Sequence, residues 1–218
     1  MNTNASTSAK AAKDPIVWID CEMTGLDLEA DALIEVAVVV TDSELRPLDA
    51  GIDLVIQPTP GAVEQMGDTV REMHTSSGLL TELDAGLEMA EAQAQVLSYI
   101  KRWVADARKA PLAGNSVGTD RTFLARDMPE VVEHLHYRII DVSSIKELAR
   151  RWYPRAYFQS PAKAGGHRAL ADILESIDEL RYYRAVLFPE GEGPSSEDAK
   201  ASAERIAAEP TAALLEKF

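Results

Sequence analysis

The run LIEVAVVV at residues 33–40 most constrains the fold, because eight consecutive residues that are mostly apolar or β-branched are typical of a buried strand. A second run of this kind, IVWI at residues 16–19, follows Pro15. Residues 48–56 are predicted to form a third strand, after a turn at Arg46 and Pro47. The three segments predict a meander at the start of a sheet.

Downstream of the meander, predicted helices and strands alternate, which indicates an α/β fold with a mixed five-stranded sheet flanked by helices. Apolar spacing and composition place these elements at residues 90–107 (helix), 111–113 (strand), 120–128 (helix), 137–140 (strand), 143–152 (helix) and 168–187 (helix). Ser143 or Ser144 is the expected cap of the helix 143–152. Residues 58–67 and 154–166 are expected to be loops.

A length of 218 residues favours one domain with tails, here residues 14–188. Residues 1–13 are small and polar and lack an apolar signal-peptide core, so a disordered leader is expected. Residues 189–218 are rich in Glu, Ala, Ser and Pro, which predicts a mobile acidic tail with one weak helix. No run approaches a membrane span, and the single Cys21 fits a reducing compartment, so we expect a cytoplasmic protein with no membrane contact.

The net charge of −14 is unevenly distributed. Residues 20–53 contain ten acidic residues and one basic residue, whereas residues 137–168 contain seven basic and two acidic residues. An acidic stretch and a basic stretch in one small domain suggest metal binding beside phosphate binding. The alternative is that both stretches form solvated helix faces, which is the commoner origin of such runs.

Asp20 and Glu22 follow the first apolar run directly, in the string WIDCEMTG. Residues two apart on a strand face the same side, so the two carboxylates are expected to lie side by side. Divalent cations between them would keep both ionised. The alternative is a pair of exposed acids at a strand end or turn. An EF-hand loop is excluded, because the twelfth position counted from Asp20 is Asp31.

Two later clusters carry further candidate ligands. Asp120, in GNSVGTDR, opens a predicted helix and could equally be its cap. His167 and Asp172, in GGHRALAD, would lie about 140° apart on a continuous helix. They converge only if His167 belongs to the loop before that helix, and Gly165 and Gly166 give the loop this freedom. Otherwise His167 is a polar residue at a helix start and Asp172 a solvated acid.

Taken together and in this order, the D-x-E pair, the mid-chain Asp and the H-x4-D motif resemble the DEDDh family of 3′-to-5′ exonucleases. The strings WIDCEMTGLD, HTSSGL, GNSVGTDRTFL, HYRIIDVSSIKELARRWYP and HRALADI are similar to those of the oligoribonucleases within that family. The resemblance covers about residues 16–188. It implies a ribonuclease H-like fold and makes residues 14–188 an exonuclease domain.

The resemblance implies that the four carboxylates hold two divalent cations, Mg²⁺ or Mn²⁺, and that His167 takes the proton from the attacking water. The ligands would be Asp20, Glu22, Asp120 and Asp172. The implied substrates are short RNA oligonucleotides and dinucleotides such as pGpG, and the implied products are nucleoside 5′-monophosphates. A dinucleotide has few phosphates, so an acidic protein needs no long basic track to bind it.

Substrate-binding residues are also implied. Leu26 matches an apolar wedge between two bases, and His74 matches a position near the 3′ nucleotide. In the family a homodimer holds the 5′-phosphate, partly from across the interface, and Tyr137 is expected to act there. The matching positions are Ser116, Tyr137, Arg138, Ser143 and Ser144. The alternatives are that Tyr137 only packs at a strand start and that Leu26 is a turn residue.

Two other functions remain open at this stage. A DEDDh exonuclease that degrades longer single-stranded DNA or RNA would use the same carboxylates and histidine. A non-catalytic dinucleotide binder is the other possibility, although it would have no need of a complete set.

Overall fold

The computed structural model describes residues 13–162 and 165–212. Within these ranges one mixed sheet has the strand order β3-β2-β1-β4-β5, which confirms the predicted architecture. β1 is antiparallel to β2 and parallel to β4. Of the outer pairs, β2–β3 is antiparallel and β4–β5 is parallel. The strands are β1 (Ile16–Met23), β2 (Leu33–Thr41), β3 (Ile52–Val55), β4 (Pro111–Gly114) and β5 (His136–Asp141).

The helices flank this sheet. In the described part of the chain they are α1 (Pro60–Glu64), α2 (Asp68–Ser76), α3 (Met89–Trp103), α4 (Gly118–Asp127), α5 (Pro129–His134), α6 (Val142–Trp152), α7 (Pro154–Phe158), α8 (Ala169–Leu187) and α9 (Ser196–Ala208). Two 3₁₀ turns, Leu79–Thr81 and Leu83–Ala85, lie between α2 and α3.

Two segments expected to be loops contain short helices instead. α1 and α7 both have proline in their first turn, Pro60 and Pro154. Proline fixes φ near the helical value and lacks an N–H that the first turn leaves unpaired, so it starts a helix as readily as it ends one. The expectation of loops was therefore wrong for residues 60–64 and 154–158.

Two other local expectations are also corrected. β3 is shorter than predicted, because Gly51 has φ +80° and its amide donates to Asp49 Oδ1, so the chain turns just before the strand. The cap of α6 is Asp141 rather than Ser143 or Ser144. Its Oδ1 accepts the amide of Ser143 at 2.9 Å, as a carboxylate one residue before a helix does.

The two faces of the sheet bury separate cores, and β1 contributes alternate residues to each. Val17 and Ile19 pack with side chains of α3, α4 and α5, whereas Trp18 packs with side chains of α6 and α8. Each fully buried side chain of this kind stabilises the fold by about 1.5–3 kcal/mol. Asp20 and Glu22 share the face of Trp18, so the strand directs both carboxylates towards α8.

α8 begins at Ala169, with Arg168 as its N-terminal flanking residue, so His167 lies in the preceding loop, as the sequence required for convergence. Its buried side is formed by Ile173, Ile177 and Leu180. The predicted tail contains α9, which buries none of its side chains. The mobility of the tail and the domain limits stay predictions, and most of the expected leader, residues 1–12, lies outside the described ranges. None of the described helices is both long enough and apolar enough to span a bilayer.

Candidate active site

Three of the predicted ligands converge between β1 and α8. Carboxylate oxygens of Asp20, Glu22 and Asp172 lie within 4.8 Å of one another. The strand period brings Asp20 and Glu22 to one face, and Asp172 approaches from the first turn of α8. Hard oxygen donors at this spacing are the ligands that Mg²⁺ and Mn²⁺ prefer, so the donor set fits a divalent cation.

Glu22 shows the electrostatic cost of this crowding. Burial raises its pKa to about 8, and the negative charges of Asp172, Glu35 and Asp120 add to the effect, while Arg168 opposes it. The side chain is 8% exposed. A cation would relieve both the desolvation and the repulsion, since it offsets the charges where water cannot.

Asp120 lies beside this group without being one of the three. Its Oδ1 accepts the backbone amide of Cys21, the residue between Asp20 and Glu22, at 3.0 Å. Burial raises its pKa to about 6, and the hydrogen bonds it accepts moderate the shift. Asp120 occupies the first turn of α4, whose flanking residue Val117 makes no side-chain cap. The structure thus ties Asp120 to the metal-facing strand.

His167 is exposed, and its backbone φ is +48°. This is the left-handed region, which residues with a Cβ rarely adopt. Burial lowers the pKa of His74, and the proximity of His167 is a smaller cause in the same direction. His167 thus belongs to the loop before α8, whereas the acids come from a strand and two helices.

His74 is fully buried beside Glu22. Its Nε2 lies 2.9 Å from the carbonyl oxygen of Met23, so Nε2 carries the proton and donates it to that oxygen. Its Nδ1 lies 3.9 Å from Glu22 Oε2 and has no hydrogen-bond partner within the described ranges. Nδ1 of His74 thus lies beside the carboxylate of Glu22.

Sequence reasoning missed Glu35. It lies on β2 directly opposite Glu22, is 0% exposed, and accepts hydrogen bonds from Arg168 Nε and the Ala169 amide. The signal was present in the sequence, because an acid inside the apolar run LIEVAVVV must be buried with the strand.

The serines of the expected phosphate site form a connected group. The amide of Ser116, whose φ is +52°, donates to Ser143 Oγ and to Asp141 Oδ1, both at 3.0 Å, and the two serine hydroxyls are 3.1 Å apart. Ser143 Oγ donates to Asn115 Oδ1 at 3.0 Å. Ser144 lies alongside, with Oγ 3.4 Å from Asp141 Oδ2. The structure brings these residues together.

Asn115, which sequence reasoning also missed, connects the serine group to α8. Its Nδ2 donates to Ser176 Oγ at 2.8 Å and to Glu179 Oε2 at 3.1 Å. Ser176 in turn donates to the carbonyl oxygen of Asp172 at 2.7 Å. A continuous polar chain therefore runs from the serines to the helix that carries Asp172.

Tyr137, Arg138 and Leu26 lie at the surface. Tyr137 is 71% exposed on the edge strand β5, and Arg138 donates from Nε to its hydroxyl at 3.1 Å. Leu26 is 76% exposed, in the turn after β1. An exposed position fits a residue that contacts a ligand or another subunit, and it excludes a role for Tyr137 as a core side chain.

The basic stretch is largely ion-paired. Lys146 pairs with Glu179 at 3.0 Å, Arg150 and Arg151 with Glu147, and Arg168 with Glu35 and Glu82. Four of its seven cations are thus neutralised within the chain, and Lys163 lies outside the described ranges. The alternative of solvated helix faces fits the pairs of Arg150 and Arg151 with Glu147, whose side chains are about half exposed on α6.

Solved structures resemble the fold. Exonuclease I from Methylocaldum szegediense superposes with a TM-score of 0.56 at 20% identity, over 79% of this chain and 41% of that longer one. The zinc-bound complex of Escherichia coli Exonuclease I with single-stranded DNA gives 0.58 at 15% identity, over 80% and 41%. These likenesses confirm the exonuclease, ribonuclease H-like fold.

Sequence relatives define the family more narrowly. The RNase_T family, described as exonuclease, matches residues 17–180. The oligoribonuclease of Streptomyces griseus is 64% identical over 195 residues, 89% of this chain and 97% of that protein. That of Leifsonia xyli subsp. xyli is 56% identical over 93% of this chain and 98% of its own length. The chain therefore belongs to the oligoribonuclease family of DEDDh exonucleases.

Proposed function

We propose that this exonuclease hydrolyses short oligoribonucleotides from the 3′ end, including 5′-phosphorylated dinucleotides such as pGpG, and releases nucleoside 5′-monophosphates. The observation that carries the proposal is the convergence of the Asp20, Glu22 and Asp172 carboxylates within 4.8 Å, with Asp120 bonded to the amide between the first two. We place the reaction in the cytoplasm, which suits the free thiol of Cys21.

Asp20, Glu22, Asp120 and Asp172 would hold two divalent cations, Mg²⁺ or Mn²⁺. Bound there, the cations would acidify the attacking water and stabilise charge on the leaving 3′ oxygen. An imidazole nitrogen of His167 would take the proton of that water. A histidine suits this step because its side chain ordinarily titrates near neutral pH, and an exposed loop lets it reach the scissile phosphate.

Preference for short chains would come from binding the 5′ end. Ser116, Ser143 and Ser144 offer hydroxyl donors. The Ser116–Ser143 bond and the bond from Ser144 to Asp141 can be exchanged for bonds to a phosphate. Tyr137 and Arg138 would reach the same phosphate from the second subunit of a homodimer. Leu26 would separate the two bases, and His74 would lie near the 3′ nucleotide.

The surface around Tyr137 supports the homodimer. Ile139, on the same edge strand, is 41% exposed, and Leu148 and Trp152, one turn apart on α6, are 42% and 65% exposed. A strand edge that no described strand pairs, next to an apolar stripe of α6, is a surface that a second copy of this chain would cover.

Hydrolysis of 5′-phosphorylated RNAs of two to seven nucleotides with Mn²⁺ tests the proposal. We expect the dinucleotide to be cleaved fastest, and the Tyr137→Ala variant to lose this preference with its hydrolysis of seven-nucleotide RNA little changed. If dinucleotides persist while longer chains shorten, the 5′-end assignment is wrong. A preference for long single-stranded DNA would instead favour the alternative of a general exonuclease.

A further inference from the structure

The helix that carries Asp172 starts on a buried carboxylate of the central sheet. Glu35 Oε2 accepts the amide of Ala169, the first residue of α8, at 2.9 Å. Glu35 Oε1 accepts Nε of Arg168, the preceding residue, at 2.7 Å. Both oxygens of a side chain that is 0% exposed are therefore used to fix the start of α8 against β2.

Arg168 extends this attachment to a third segment. Its two terminal nitrogens donate to the two oxygens of Glu82, at 2.9 and 3.1 Å, while its Nε holds Glu35. Glu82 follows the 3₁₀ turn Leu79–Thr81. A planar guanidinium shared between two carboxylates fixes direction as well as distance, which a lysine ammonium cannot do.

The attachment lies between the two site residues contributed by this part of the chain. His167 immediately precedes Arg168, and Asp172 is one helical turn after it. Because Glu35 is the strand partner of Glu22, the same carboxylate also fixes the start of α8 to the strand that bears Asp20 and Glu22.

We propose that Glu35, Arg168 and Glu82 form a positioning clamp that sets where His167 and Asp172 stand relative to Asp20 and Glu22. The inference rests on the proposed function, because His167 and Asp172 act on substrate there. The clamp goes beyond the proposed function, because it assigns a positioning role to three residues that need not touch substrate or cation.

The backbone of His167 explains why a clamp is needed. Its φ of +48° is unfavourable for a residue with a Cβ, and such a conformation persists only where neighbouring contacts hold it. Arg168 supplies these contacts on the C-terminal side. A displacement of a reacting group by about 1 Å can cost about 100-fold in rate, so even a small slackening of the clamp should be measurable.

The Arg168→Lys variant tests the clamp, since it keeps the charge and removes the fork. We expect kcat to fall by about 10- to 100-fold and KM for a 5′-phosphorylated dinucleotide to change by less than about threefold. Arg184→Lys is the matched control, because Arg184 lies on α8 but pairs with the exposed Glu44. Ile177 lies on the buried side of α8, so the Ile177→Val variant shows what loss of stability alone does to kcat.

Glu82→Gln serves as the second variant, because the Glu82 side chain is 45% exposed and its loss leaves the core intact. We expect it to lower kcat several-fold in the same direction. The proposal is overturned if both variants keep the wild-type kcat, or if kcat falls only as far as it does in a variant of equal stability such as Ile177→Val.

A readout independent of activity is the broadening of histidine ring resonances by Mn²⁺. His74, fixed to Met23 beside Glu22, reports cation occupancy, so the ratio of His167 to His74 broadening reports the position of His167. We expect this ratio to fall at least twofold in Arg168→Lys and also to fall in Glu82→Gln. An unchanged ratio overturns the clamp even where kcat falls. A wild-type protein that cleaves no RNA while its ratio responds would refute the proposed function and retain the clamp.

Discussion

The backbone amide of Cys21 donates a hydrogen bond to Oδ1 of Asp120 across 99 positions of sequence, at 3.0 Å. The bond joins the start of α4 to β1 at the residue between Asp20 and Glu22. Because Asp120 is held by a backbone amide, its place does not depend on a bound cation. A carboxylate that is both a candidate ligand and a structural acceptor allows the two tasks to be separated by substitution.

Asp120→Asn and Asp120→Ala should both lower kcat by more than about 100-fold, because each removes a negative ligand. Only Asp120→Ala should also lower the free energy of unfolding, by about 1–2 kcal/mol, since it leaves the Cys21 amide without its acceptor. Urea denaturation and hydrolysis of a dinucleotide measure the two effects. Full activity in Asp120→Asn would show that the charge of Asp120 is not needed.

The stability of the metal-free protein should fall as pH rises, because of Glu22. Its pKa of about 8 in the folded protein exceeds the 4.5 of an unburied glutamate. The folded state therefore binds a proton that the unfolded state has released, and this stabilisation is complete below pH 4.5 and lost as pH rises through about 8. Glu22→Gln cannot ionise, so at pH 9 with chelator it should be more stable than wild type by about 2–4 kcal/mol.

Urea denaturation at pH 5 and pH 9 in the presence of a chelator measures this difference. Added Mn²⁺ should reverse the order at pH 9, since it stabilises the wild-type site and has less to bind in Glu22→Gln. Parallel pH dependences for the two proteins would contradict the raised pKa.

The pair of Lys146 with the buried Glu179 should matter more for stability than the exposed pairs do. Glu179 is 3% exposed and receives hydrogen bonds from Lys146 and Asn115. Lys146→Ala removes the cation and should lower the free energy of unfolding by about 3 kcal/mol. The double variant Lys146→Met/Glu179→Met should recover most of this loss, because no buried charge remains.

Arg184→Ala is the comparison for that pair, since Arg184 and Glu44 are each 48% exposed. We expect a change below about 1 kcal/mol there. Equal losses for Lys146→Ala and Arg184→Ala in urea denaturation would show that burial of Glu179 carries no electrostatic penalty.

Leu26→Ala should weaken binding without weakening the fold. The side chain is 76% exposed, so little packing is lost, whereas burying a leucine side chain between two bases is worth about 1.5–3 kcal/mol. We expect KM for a dinucleotide to rise about 10-fold with Tm unchanged. Ile206→Ala, at a 68% exposed position on α9, should change neither quantity. A KM unaltered by Leu26→Ala would remove the wedge assignment.

The site was predicted best where a single periodicity decides which side of an element a residue faces. The alternation along β1 placed Asp20 and Glu22 together, and the glycines before His167 correctly suggested a loop at the start of α8. Local turns were predicted less well. Pro60 and Pro154 start short helices in segments expected to be loops, and Asp141 fills the capping role expected of Ser143 or Ser144.

Contacts across the sequence could not be predicted from spacing. Glu35 meets Ala169 over 134 positions, and Asn115 meets Ser176 over 61. Neither pair has a local signature, because each depends on which strand lies beside which helix. Glu35, the acid within LIEVAVVV, indicated only that a buried carboxylate needs a hydrogen-bonding or charged partner.

The position of β1 in the middle of the sheet has a consequence for the slow opening motions of the site. Strand amides with neighbours on both sides exchange with solvent only when much of the protein unfolds, whereas exposed loop amides exchange through small local openings. The amide of Trp18, a residue that pairs with both β2 and β4, should therefore be among the slowest to exchange and that of His167 among the fastest. Asp20 and Glu22, which lie further along the same strand, would thus stay in place during small openings of the loop that carries His167.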